Sequence, residues 1–179
     1  RRFLGTVGAL SAGLVTVTAG QTVWHLRKVA LFAPRRPDIG VQGFPVNKTA
    51  REAGVVDGAA DPAYTLTVEG RNGSTSFTLD DLRAMTQRTA MLPIACVEGW
   101  SANRRWTGVS VPDLLAAAGE TDVHEVSVES LQRGGRYRRS TLNASFAADA
   151  DTLLAMQVDG ADLHPDHGYP LRLIAPNRP

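Results

Sequence analysis

An α+β domain with a mixed sheet, preceded by one hydrophobic N-terminal helix, is the fold that this sequence predicts. Three observations carry the expectation. Short alternating segments, Tyr64-Thr65-Leu66-Thr67-Val68 among them, are bounded by turn residues and read as strands. Two four-residue signals, Thr78-Leu79-Asp80-Asp81 and Ser110-Val111-Pro112-Asp113, place a hydroxyl cap ahead of first-turn acids and start short helices. Residues 3–24 carry no charge at all. Strands separated by turns and short helices make an α+β arrangement.

The chain has 179 residues, enough for one domain and an appendage. Hydrophobic residues make up 43%, so a packed core is expected. The formal net charge of +1 argues against a general nucleic-acid binder. A single cysteine forms no internal disulfide, which leaves export open. The first residue is not methionine, and Asn177-Arg178-Pro179 follow a strand-like run, so both ends are expected to be cut.

Taken in order, residues 1–24 read as a signal or anchor. Arg1-Arg2 stand before Phe3-Leu4, and the uncharged run is long enough for a hydrocarbon core of ~30 Å at ~1.5 Å per residue. Glycines and threonines dilute it, and the paired arginines resemble a twin-arginine export signal. No clear Ala-x-Ala site follows, which favours a retained anchor. Arg27, Lys28, Arg35 and Arg36 lie beyond the run, so charge counting does not orient it. Residues 25–62 read as a linker and cofactor-approach segment, where Pro34, Pro37, Gly40, Gly43 and Pro45 prevent a long helix. Residues 63–179 are the domain proper.

Within that domain, Asn72-Gly73 turns the Tyr64–Val68 strand onto Ser74–Leu79. A helix then runs from the Thr78 cap through Met85, with Met85, Met91 and Leu92 expected in the core. A second helix buries Leu114, Leu115 and Ala118 and ends at Gly119. Glu125–Ser130, Leu153–Val158 and Leu171–Ala175 read as strands. Thr141–Ala148 reads as a short helix or turn, and Asp159-Gly160 as a turn.

The chemistry gathers between Ala95 and Gly108. Cys96 ends an apolar run that begins at Met91. Such a cysteine is either a small buried hydrophobe or a thiolate aimed into a cavity. Glu98, Arg104 and Arg105 are expensive to bury unpaired, and nearby cations favour the thiolate, a ligand for soft metals. Asn47 can hydrogen-bond through both ends of its amide, or simply cap a turn. His164 and His167 would make a weak zinc site with Cys96. Gln132–Arg139 is a cation-rich turn, either a solvated tip or a guide for an anionic or protein substrate.

Cys96-Val97-Glu98-Gly99-Trp100-Ser101, Trp106-Thr107-Gly108-Val109 and Pro112-Asp113-Leu114-Leu115 resemble the sulfite oxidase-like molybdopterin-dependent oxidoreductase domain. Asp166-His167-Gly168-Tyr169-Pro170-Leu171-Arg172 supports the resemblance, and the bacterial branch similar to the periplasmic methionine sulfoxide reductase catalytic subunit lies nearest. The resemblance implies a sulfite oxidase-type catalytic fold and a molybdenum-molybdopterin cofactor with Cys96 as the protein ligand to molybdenum. By position it implies cofactor contacts from Asn47, Ala50, Arg51, Ser130, His167 and Arg172. Ser130 has a plain surface serine as its alternative, and Arg172 a surface ion pair. Glu98, Arg104 and Arg105 would steer substrate or protons, with Trp100 and Trp106 walling the pocket. The implied reaction is oxygen-atom transfer on a sulfite-like or sulfoxide-like substrate, on the extracytoplasmic side of the cell membrane. With no Cys-x-x-Cys-His motif for haem attachment, electrons would come from another chain, such as a membrane cytochrome b. The rival expectation is a membrane-tethered binding module that kept the fold and lost the cofactor.

Overall fold

The computed structural model describes residues 2–19, 25, 36, 38–71, 73–96, 99–135 and 138–176. Its main sheet is built on β3 (Gln87–Ala95), β4 (Ser101–Ser110) and β7 (Leu153–Val158), paired in that order. The free side of β7 is shared by β8 (Ala161–Asp162) and β9 (Arg172–Ile174), which pair with its two halves. Two hairpins stand apart from this sheet: β1 (Thr65–Gly70) with β2 (Gly73–Thr78), and β5 (Glu125–Glu129) with β6 (Arg139–Asn143). Helices α2 (Ala50–Ala53), α3 (Val56–Ala60), α4 (Leu79–Ala84), α5 (Val111–Ala117) and α6 (Ala144–Ala147) are all short.

The α+β class holds, but the sheet is not mixed. Every pairing among the described strands is antiparallel. Connection length accounts for three of these pairings. Tight turns join β1 to β2, β3 to β4 and β7 to β8, and a tight turn can only reverse the chain, whereas a parallel pair needs a crossover of a dozen or more residues.

Strand β7 is buried on both faces. Leu153, Ala155 and Val158 enter one core cluster with Phe44, Leu92, Ile94, Trp100 and Trp106. Leu154 and Met156 enter the other with Leu82, Val109, Leu114 and Leu142. Val158 shares a face with Ala155 although the two are an odd number of residues apart. A bulge makes this work: Gly108 pairs with Ala155 and Thr107 with Gln157, so Met156 is the extra residue that resets the alternation.

Local signals account for most elements. Thr78 and Asp81 form a reciprocal capping box on α4, and Ser110 caps α5 with Pro112 in its first turn. Gly119 takes φ 81° just past α5. Asp159 and Gly160 both have positive φ in the β7–β8 turn.

Three expectations change. Met91 is 65% exposed, because the pleat of β3 turns Ala90, Leu92 and Ile94 inward and Met91 outward. Thr141–Asn143 belongs to β6, and only Ala144–Ala147 is helical, with the Asn143 side chain as its cap. The N-terminal helix α1 (Arg2–Ala19) forms, but among the described residues no helix is long and apolar enough to cross a membrane. Its glycines and threonines lower the hydropathy, and 18 residues reach only ~27 Å. Residues 20–24 of the expected anchor lie outside the described residues.

Candidate functional site

A cavity of about 160 Å³ opens where three distant segments meet: residues 45–48, the end of β3 with its turn, and residues 166–172. Cys96 stands at the first position past β3. Its N–H donates to Trp100 O at 2.9 Å, and Gly99 N, at φ 84°, donates back to Cys96 O at 3.0 Å. This tight turn holds the sulfur at the cavity wall. Asn47 Nδ2 donates to Cys96 Sγ. Trp100 Nε1 donates to Asn47 Oδ1 at 3.2 Å.

The segment before α2 is stitched to the far end of the chain. Gln42 Nε2 donates to Asp162 O at 2.9 Å, and Gln42 Oε1 accepts from His164 N at 2.9 Å. Ala50 N donates to Asp166 Oδ1 at 2.7 Å. Thr49 caps α2 in a reciprocal box with Glu52, which fixes how the chain leaves the cavity.

His167 lines the cavity but is committed to the scaffold. Its ring stacks on Phe44 at 3.7 Å between centroids, and Nε2 lies 2.7 Å from Val41 O. Nε2 therefore carries the proton and donates it, which makes Nδ1 an acceptor in the neutral ring. Burial lowers the His167 pKa below the usual histidine value, more than the Val41 hydrogen bond raises it.

Arg172 is a second cation of the cavity lining, beside Lys48. Its guanidinium donates to His167 O at 3.0 Å and lies 5.8 Å from the Trp106 ring centroid. Burial pushes its pKa down to about 10, so it is still charged at neutral pH. Among the described residues no carboxylate pairs with it, and this rules against the plain ion pair. A half-buried cation without a counter-ion, beside a cavity that also carries Lys48, is suited to an anion.

Several expected site residues fall elsewhere. Arg104 turns toward the core, where it bonds Gly43 O, approaches Asp159 at 3.6 Å and covers the Phe44 ring at 5.4 Å. Arg105 is exposed on the opposite face of β4. Neighbours on a strand point opposite ways, so the pair does not serve one pocket. Ser130 is exposed at the end of β5, and Arg51 is exposed on α2, both outside the cavity lining. Ala50 is buried and contributes its backbone. Trp100 walls the cavity, whereas Trp106 is fully buried in the core with Nε1 on Leu92 O. Glu98 lies outside the described residues. In the cation-rich turn, Arg138 and Arg139 both pair with Glu129.

The zinc arrangement is not formed. Among the described residues no group of three or more His, Cys, Asp or Glu side chains is placed to hold a metal ion. His164 Nδ1 accepts from Asp166 N, and the His167 ring is taken up by Phe44 and Val41. Lys48, Asp166 and Gln42 carry no spacing signal and were not anticipated as site residues.

The family described as the oxidoreductase molybdopterin binding domain matches residues 53–179. The chain belongs to this family. It is 35% identical over 113 residues to a sulfite oxidase of Arabidopsis thaliana, covering 52% of this chain and 29% of that protein. It is 32% identical over 114 residues to a protein-methionine-sulfoxide reductase catalytic subunit MsrP of Xanthomonas campestris, covering 56% and 35%. The crystal structure of the sulfane dehydrogenase SoxCD from Paracoccus pantotrophus superposes with a TM-score of 0.55 at 24% identity, over 64% of this chain and 34% of that one, and shows the shared fold. The chain thus spans about a third of the length of these relatives.

The residues present fit one end of a molybdopterin cofactor. A cysteine sulfur is a soft donor suited to a transition metal, and Arg172, with no carboxylate partner among the described residues, has the forked charge that suits a phosphate. At about 160 Å³ the cavity is smaller than the ~300–1,000 Å³ of most ligand pockets, so it takes part of so large a group.

Proposed function

We propose that this chain is the cofactor-binding part of a molybdenum oxidoreductase that moves an oxygen atom to or from a sulfite-like or sulfoxide-like substrate, a small molecule or a protein. The observation that carries the reading is the cavity itself, lined by both Cys96 and Arg172, the latter without a carboxylate partner among the described residues. The relatives named sulfite oxidase and methionine sulfoxide reductase support the sulfur substrate.

Cys96 would be the protein ligand to molybdenum, and Arg172 with Lys48 would hold the anionic part of the cofactor. The cofactor would supply the two-electron redox chemistry. The chain's own work is binding and orientation. The Cys96 turn fixes the sulfur, the tie from Asp166 to Ala50 holds the approach segment over the cavity, and His167 keeps the floor rigid through Phe44. Arg104 and Arg105 are not among the residues lining the cavity, so substrate charge would be met by other groups. Electrons would come from a separate partner, for which a membrane cytochrome b is the candidate. An extracytoplasmic location at the cell membrane is part of the same reading, supported by the paired arginines at the start of the chain.

The test is metal and pterin per chain in full-length protein made in a host that produces the cofactor, beside Cys96→Ser. Near-stoichiometric loading is expected for the wild type, with turnover lowered at least ~100-fold in the variant, since even groups that merely support metal ligands cost 10–100-fold. A folded wild type with neither metal nor pterin would refute the enzyme and leave the binding module.

A further inference from the structure

Asn47 lies 49 residues from Cys96 in sequence and bridges two residues of the β3–β4 turn. Its Nδ2 donates to Cys96 Sγ, and its Oδ1 accepts from Trp100 Nε1 at 3.2 Å. An amide flipped by 180° keeps its shape and exchanges donor for acceptor, so something outside it must choose the orientation. The indole makes that choice. Its N–H only donates, so the amide oxygen has to face it, and the NH₂ end is left on the sulfur. Trp100 is itself 5% exposed, and its carbonyl accepts from Cys96 N, so chooser and target are held in one turn.

We propose that Asn47 is a positioning residue, locked in one amide orientation by Trp100, whose N–H tunes the Cys96 sulfur and through it the metal. The tuning rests on the function proposed above; the lock is a property of the chain alone. An N–H aimed at a ligating sulfur draws electron density from it, which weakens its donation and raises the reduction potential of the metal. This differs from a simple pterin contact, because one Nδ2 hydrogen is committed to the sulfur and the amide orientation is set by the indole.

Two measurements on the full-length protein test it. In the cofactor-free, ¹⁵N-labelled chain, the Trp100 indole and one Asn47 side-chain N–H are expected downfield of their exposed positions. Cys96→Ala should return the Asn47 signal toward the exposed value and leave the indole in place. In the loaded protein, Asn47→Leu and Trp100→Phe should each lower the molybdenum potential and move the sulfur-to-metal charge-transfer band to lower energy. Because Trp100 acts through Asn47, the double variant should match Asn47→Leu alone. Fully additive shifts in the double variant, or an unchanged potential and band in Asn47→Leu at full metal occupancy, would overturn the proposal while leaving the proposed function intact. A wild type that loads no metal overturns that function and the tuning with it, and the two resonances then decide the lock.

Discussion

Gly108 shows how little room a single residue has in this sheet. A Cβ built there would stand 2.1 Å from Leu154 O and 2.6 Å from Ala155 Cα, both backbone atoms of β7 that cannot step aside. Gly108→Ala is expected to cost about 3 kcal/mol, the upper end for overpacking, and a urea unfolding midpoint would read it. His167 predicts a pH dependence. Its folded pKa is lowered, so as pH falls the unfolded chain takes up the proton first. The stability that neutral His167 contributes is complete above the ordinary histidine value near 6.5 and is lost as pH falls through the folded value. His167→Gln should flatten the melting temperature between about pH 7 and pH 5. At this scale the sequence was readable where a residue type has one plausible employment. Cys96 and Arg172 reach the cavity as the family motifs suggest. Arg104 and Arg105 look alike in the sequence, and only the pleat of β4 separates the one folded over Phe44 from the one in solvent.

Elements were legible through their ends. The capping boxes, the prolines after a cap and the glycines in left-handed turns all announce themselves within four residues. Strand β6 was not legible, because Arg139–Asn143 becomes a strand by pairing with β5, and that partner is not a local property. The inward face of β3 was ambiguous for the same reason: Met91 and Leu92 are equally apolar, and register alone decides which is buried. Zinc at His164 and His167 failed because their spacing on a three-residue turn says nothing about what each ring already bonds. One of the ties on the segment over the cavity is a carboxylate. Asp166→Ala would strip the Ala50 N–H of its acceptor and is expected to cost about 1–2 kcal/mol in urea unfolding. Cofactor loss on prolonged dialysis should increase in the same variant, because the tie spans the cavity.

The whole molecule places its site where its most distant parts meet. β1–β2 and β3–β4 are hairpins whose partners are close in sequence. The ties around the cavity are the reverse: Ala50 to Asp166 spans 116 residues, Gln42 to His164 spans 122, and Val41 to His167 spans 126. Closing such long loops costs entropy before any contact repays it. The order of events in time follows. The hairpins are expected to form early, and the cavity to close near the end of folding. Pulse-labelled hydrogen exchange during refolding should therefore protect the amides of β3 and β4 before that of Ala50. Until that last closure the chain has a sheet with nowhere to seat a ligand, so a cofactor meets either a finished pocket or none.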